Sequence, residues 1–84
     1  MKLIFDEEAW DDYQYWIKTD KKILKRINLL IKDIKRTPFN GIGDPEPLKY
    51  NWFGFWSRRI SKEHRLVYFV QSDSILIAQC RFHY

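Results

Sequence analysis

Glu46, Arg59, Arg65 and His83 are the side chains of this sequence best suited to work together on a phosphodiester. RNA cleaves itself when a 2′-OH attacks the adjacent phosphorus, provided one group removes that proton and another protonates the departing 5′-oxygen; no metal is needed. A carboxylate can be the base and an imidazole the acid, each contributing roughly 10²- to 10⁴-fold when well placed. Two guanidinium groups aimed at the non-bridging oxygens would stabilise the charge that gathers there in the pentavalent intermediate. Glu46 sits between Pro45 and Pro47, which hold the backbone extended and limit where its carboxylate points. By itself it would read as a solvated glutamate in a proline turn. Tyr84 follows His83 directly; it can stack on an unpaired base or close the edge of the core, and spacing alone does not separate the two.

These residues need elements to bring them together, and the period of the hydrophobic pattern supplies an α+β order. "MKLIF" predicts a short strand over Lys2 to Phe5, and "DEEAWDDYQYWIK" a first helix with acids in its first turn and Trp10, Tyr13 and Ile17 at helical spacing. Thr19 and Asp20 offer a cap to a second helix, whose stripe of Ile23, Ile27, Leu30 or Ile31, and Ile34 runs until Pro38 forbids continuation. Its lysine-rich other face reads first as solvated. "TPFNGIGDPEPLKYN" holds all three prolines and two of the three glycines and is expected to be an irregular, functional loop carrying Asp44, Glu46 and Lys49. Trp52 and Phe53 just after it read as core, with a dimer surface or a base-stacking platform as alternatives.

Beyond the loop the period becomes two, predicting a three-stranded antiparallel meander over "GFWSRRI", "HRLVYFV" and "ILIAQCRFH". Trp56, Ile60, Leu66, Tyr68, Val70, Leu76, Ala78, Cys80 and Phe82 are assigned to the core face. Ser57, Arg59, Arg65, Gln79, Arg81 and His83 are assigned to the wet face. Residues directly opposite in an antiparallel pair share a face. Arg59, Arg65 and His83 therefore meet only if each turn has an odd number of residues or the ladder contains a bulge.

The chain of 84 residues suits one domain, and 45% hydrophobic with 18% aromatic residues argues for a packed globule. Residues 1–48 carry nine Lys/Arg against nine Asp/Glu; residues 49–84 carry six against two, so the net charge of +4 sits in the second part. That half suits a polyanion, nucleic acid first and an acidic protein surface second. One cysteine excludes an internal disulfide, and no signal peptide or 18-residue apolar run is present, so a cytoplasmic protein without membrane contact is expected. Two histidines without clustered carboxylates make no metal-ligand set, and no cofactor motif appears. His64 reads as structural or solvated, and the serines lack a nucleophile-elbow context.

"GIGDPEPLKYN", "GFWSRRIS", "EHRLVY" and the closing "CRFHY", with the opening "MKLIF" and "WDDYQYW", closely resemble the YoeB toxins of the RelE superfamily over the whole chain. The resemblance implies a RelE-like, microbial-ribonuclease-like fold. It also implies a type II toxin–antitoxin toxin that cuts mRNA in the ribosomal A site and depends on the ribosome to do so. On that likeness Glu46 is the general base, Lys49 a phosphate contact, Arg59 and Arg65 transition-state stabilisers, His83 the general acid, and Tyr84 the residue that orients substrate. The implied partner is a YefM-like antitoxin with an acidic C-terminal segment, with DNA met only through that complex and a homodimer left open. A ParE-type toxin acting on gyrase would leave Glu46, Arg65 and His83 without a role. A non-catalytic RNA-binding module would need no acid/base pair.

Overall fold

The computed structural model describes all residues, Met1 to Tyr84. Strand β1 (Lys2–Phe5) leads into helices α1 (Glu7–Thr19) and α2 (Lys21–Arg36), which are followed by β2 (Glu46–Pro47), a 3₁₀ turn (Tyr50–Trp52), β3 (Trp56–Arg59), β4 (Arg65–Val70) and β5 (Ser74–Gln79). The strands form one sheet in the order β1-β5-β4-β3-β2, with β1 parallel to β5 and the other pairs antiparallel. No helix is long and apolar enough to cross a membrane.

Asp20 starts α2 as its sequence position suggests: its carboxylate accepts hydrogen bonds from the backbone N–H groups of Lys22 and Ile23 at 3.0 and 3.1 Å. Ile27, Leu30, Ile31 and Ile34 of α2 pack with Ala9 and Trp16 of α1 onto Leu66, Tyr68, Ile75, Ile77 and Cys80. The stripe of α1 is narrower than its spacing predicts. Tyr13 packs on this core, but Trp10 and Ile17 are exposed, because α1 touches the sheet along the line of Ala9, Tyr13 and Trp16.

Three strand assignments are corrected. Glu46 and Pro47, expected in an irregular loop, form an edge strand opposite Ser57 and Trp56. On β5 the core face is made by Ile75 and Ile77 rather than Leu76 and Ala78, and Cys80 returns to the core only because a bulge shifts the register. Tyr68 pairs with Ile77 but Val67 with Gln79, leaving Ala78 as the extra residue. Phe82 is not core: it is 57% exposed, with its backbone in the left-handed region at φ +66°. Arg81 also leaves the expected group, its guanidinium lying 3.6 Å above the Tyr15 ring on α1.

The condition on the two turns is met in both ways. Arg59 pairs directly with Arg65 across a five-residue turn, whereas the four residues between Val70 and Ile75 are an even number, compensated by the bulge. The end of β5 is then tied to α1. Trp16 Nε1 donates to the Cys80 carbonyl at 2.8 Å, and the Cys80 N–H donates to Asp12 Oδ2 at 3.1 Å.

Candidate active site

On the sheet face away from the helices lies an open cleft of about 490 Å³, lined by Glu46, Arg59, Arg65, His83 and Tyr84 together with Asp44, Pro45 and Ser57. The ladder explains the grouping. Glu46 of β2 is opposite Ser57 of β3, Arg59 stands two residues further along the same face, and Arg65 of β4 is opposite Arg59. Like charges directly opposite in a sheet repel. The ion pairs of the molecule join Asp33 to Arg36 and to Arg58, so neither cleft arginine has a protein counterion. Arg65 is held by one nitrogen only: Nη1 donates to the carbonyls of Ser61 at 2.7 Å and His64 at 3.1 Å, leaving its other nitrogens free of protein partners. The cleft floor is thus a pair of cations with donors to spare, a setting for an anion.

His83 reaches the cleft because of its neighbour. The Phe82 N–H donates to His64 Nδ1 at 2.8 Å, and the Phe82 carbonyl accepts from the Arg65 N–H at 3.0 Å. A residue clamped on both sides in the left-handed region turns the chain off the line of β5. His64, itself edge-on to Trp16 at 4.8 Å, is therefore structural and sets the direction of the residues after it. The His83 and Tyr84 rings lie 4.7 Å apart, and the Tyr84 hydroxyl is 3.3 Å from that of Ser57, which is 2% exposed beneath it.

A buried arginine shapes the loop that carries Glu46. Arg58, 0% exposed, donates from Nη1 to Asp33 Oδ2 (2.6 Å) and the Ile42 carbonyl (3.0 Å), and from Nη2 to the carbonyls of Thr37 (2.6 Å) and Asn40 (2.7 Å). Its Nε donates to the Tyr68 hydroxyl, which in turn donates to the Pro38 carbonyl. Asp33 also accepts from the Ile42 N–H and from Arg36, and these bonds with Arg58 lower its carboxyl from 3.8 to about 2. Gly41 is needed here, since at φ +118° a Cβ would run into Asp33 Oδ2. Sequence reasoning missed Arg58, although its place between Trp56 and Ile60 put it on the core face and Asp33 interrupted the apolar stripe of α2.

Lys49 stands apart from the cleft. It lines an adjoining depression of about 480 Å³ with Leu48, Tyr50 and Trp52, and the two hollows share Glu46 and Tyr84.

Residues 5–84 match the model of the YoeB-like toxin of bacterial type II toxin-antitoxin systems. The chain belongs to the YoeB toxin family. It is 69% identical to Toxin YoeB of Escherichia coli (strain K12) over 84 residues, covering 100% of both chains. A solved YoeB/ParE toxin from Agrobacterium tumefaciens superposes with a TM-score of 0.97 at 51% identity over 100% of both chains. A Staphylococcus aureus YoeB has been solved as a dimer (TM-score 0.94, 48% identity) and in complex with YefM (0.93, 47%), each covering 100% of this chain and 98% of that one. This YoeB-family chain is accordingly the toxin of a type II toxin–antitoxin system, and its α+β fold is that of the family.

Proposed function

We propose that this YoeB-family toxin is a ribosome-dependent endoribonuclease that cuts messenger in the ribosomal A site and so stops translation. The observation that carries this reading is the unneutralised Arg59–Arg65 pair in one cleft with Glu46 and His83. Glu46 takes the proton of the 2′-OH, and the resulting oxygen attacks phosphorus. Arg59 and Arg65 hold the non-bridging oxygens as their charge grows. The bond to the 5′-oxygen breaks as His83 protonates it, leaving a 2′,3′-cyclic phosphate and a 5′-hydroxyl. Tyr84, steadied through Ser57, orients the nucleotide, and Lys49 meets a neighbouring phosphate from the adjoining depression.

The same cations suit a second polyanion, the acidic segment of a YefM-like antitoxin, and the S. aureus relative solved with YefM supports such a partner. DNA is then met through the antitoxin alone. Self-association is supported by the dimer of that relative, and a cytoplasmic setting follows from a ribosomal substrate.

Primer extension on messenger bound to programmed ribosomes tests the activity. Wild type should cut, and Glu46→Ala and His83→Ala, both at exposed positions and therefore folded, should not. Full activity in both variants defeats the catalytic assignment. A wild-type protein that cuts nothing but inhibits gyrase is a ParE-type toxin instead.

A further inference from the structure

Apart from Glu46 and Tyr84, which it shares with the cleft, and Lys49, the residues of the adjoining depression have no role in the proposed chemistry, yet its construction is specific. Lys49 to Phe55 form a tight, hydrogen-bonded turn: the N–H groups of Trp52, Phe53 and Phe55 donate to the carbonyls of Lys49, Tyr50 and Trp52, and the Leu48 N–H donates to the Phe55 carbonyl. Trp52 stands edge-on to Phe55 at 5.2 Å, and Phe55 packs on Phe69 at 5.0 Å, which ties one wall of the depression to the sheet. Tyr50 forms another wall. It holds a left-handed backbone, φ +56°, unusual for an aromatic residue, and it is 92% exposed with no aromatic partner in the protein. Phe53, on the same turn and 83% exposed, lies outside the depression.

We propose that this depression is a nucleobase subsite: it takes the base of the nucleotide adjoining the cleaved phosphate, stacked on Tyr50 against the wall of Trp52. The inference rests on the nuclease reading above. Three features select unpaired RNA as the occupant. The hollow shares Glu46 and Tyr84 with the phosphate cleft, so a strand held in the cleft passes beside it. Lys49 supplies a cation at its edge for the backbone. Aromatic faces on a rigid turn stack on any unpaired base, at a cost of little conformational entropy.

The test compares cleavage on ribosomes programmed with short messengers that are intact or carry an abasic nucleotide at one flank of the cleavage position, each flank in turn. Tyr50→Gly removes the ring and suits the left-handed backbone, so it folds; Tyr50→Phe keeps the ring; Phe53→Ala is the control. Tyr50→Gly should lose about tenfold in kcat/KM on intact messenger, mostly through KM, with Tyr50→Phe near wild type and Phe53→Ala unchanged. One abasic flank should cost wild type a similar factor and cost Tyr50→Gly nothing further, since the two changes remove one contact. Normal cleavage by Tyr50→Gly, equal losses in Phe53→Ala, or additive losses overturn the subsite alone. So does a Tyr50→Gly protein whose cleavage is intact but whose sedimentation changes from dimer to monomer, which makes the surface an interface between copies. A wild type that cuts no messenger overturns the nuclease reading and the subsite together.

Discussion

Arg59 and Arg65 show how a residue proposed to hold substrate can work against the fold that carries it. They face each other across β3 and β4 with no carboxylate in ion-pair contact with either, so the folded chain bears a repulsion that a bound anion would relieve. The side chain of Arg59 makes no hydrogen bond within the protein; only its backbone is used, by the Gly43 carbonyl and by Arg26. Arg59→Ala is therefore expected to leave the melting temperature unchanged or raise it, while messenger cleavage falls by about tenfold or more. Calorimetry and a cleavage assay on the same preparation check this, and a drop in both would mean that Arg59 is structural. That Glu46, Arg59, Arg65, His83 and Tyr84 would share one cleft was legible from residue type and motif. Arg58 was not, because a buried arginine is recognised by its partners, and those are carbonyls of Thr37, Asn40 and Ile42 that carry no side-chain signature.

Among the elements, the loop from Thr37 to Pro45 has its shape from one guanidinium. Truncating Arg58 would leave Asp33 and three carbonyls without their donor in a buried place, and Arg58→Met is expected to cost about 3–5 kcal/mol in urea unfolding. Arg58→Lys should recover little, since one ammonium cannot span the same set. Acid should act at the same point. The folded Asp33 carboxyl, lowered from 3.8 to about 2, binds its proton less readily than in the unfolded chain. Its stabilising effect is complete above about pH 4 and disappears as pH falls through about 2. Urea midpoints measured from pH 6 down to pH 2 should fall across that window for wild type and stay flatter for Asp33→Asn, and parallel curves would refute the assignment. The bulge at Ala78 is a second device of this kind. It reverses the phase of β5, so that strict alternation, read backwards from Cys80, assigns Leu76 and Ala78 to the wrong face while placing Cys80 correctly; Gln79, expected on the wet face, is buried.

For the whole molecule, the net charge of +4 and the cationic cleft predict that the proposed cleavage weakens as salt rises, measurable as a decline in kcat/KM between low and physiological ionic strength. Cys80 is a thermometer of the global fold. Burial, followed by the nearby Asp12 charge, pushes its thiol up to about 12, so the native protein should resist iodoacetamide at neutral pH and react only as urea unfolds it. Modification well below the unfolding midpoint would show that the end of β5 opens locally. Removing His83 and Tyr84 should abolish cleavage with little change in the unfolding transition, because Cys80 is the last residue of the packed core.

The sequence by itself determined the α+β order, the cap and the end of α2, the requirement that the two turns satisfy the parity of the sheet, and which carboxylate, imidazole and guanidinium groups were candidates for one cleft. Those properties depend on local period, side-chain chemistry and motif, which neighbours in the chain carry. Only the tertiary structure decided that β1 closes the sheet beside β5, that Glu46 rides an edge strand, that Phe82 is clamped in a left-handed turn by His64 and Arg65, and that Arg58 and Asp33 shape the loop. Each of these depends on contacts between residues far apart in the chain, whose partners are mostly backbone groups, and backbone groups look alike at every position.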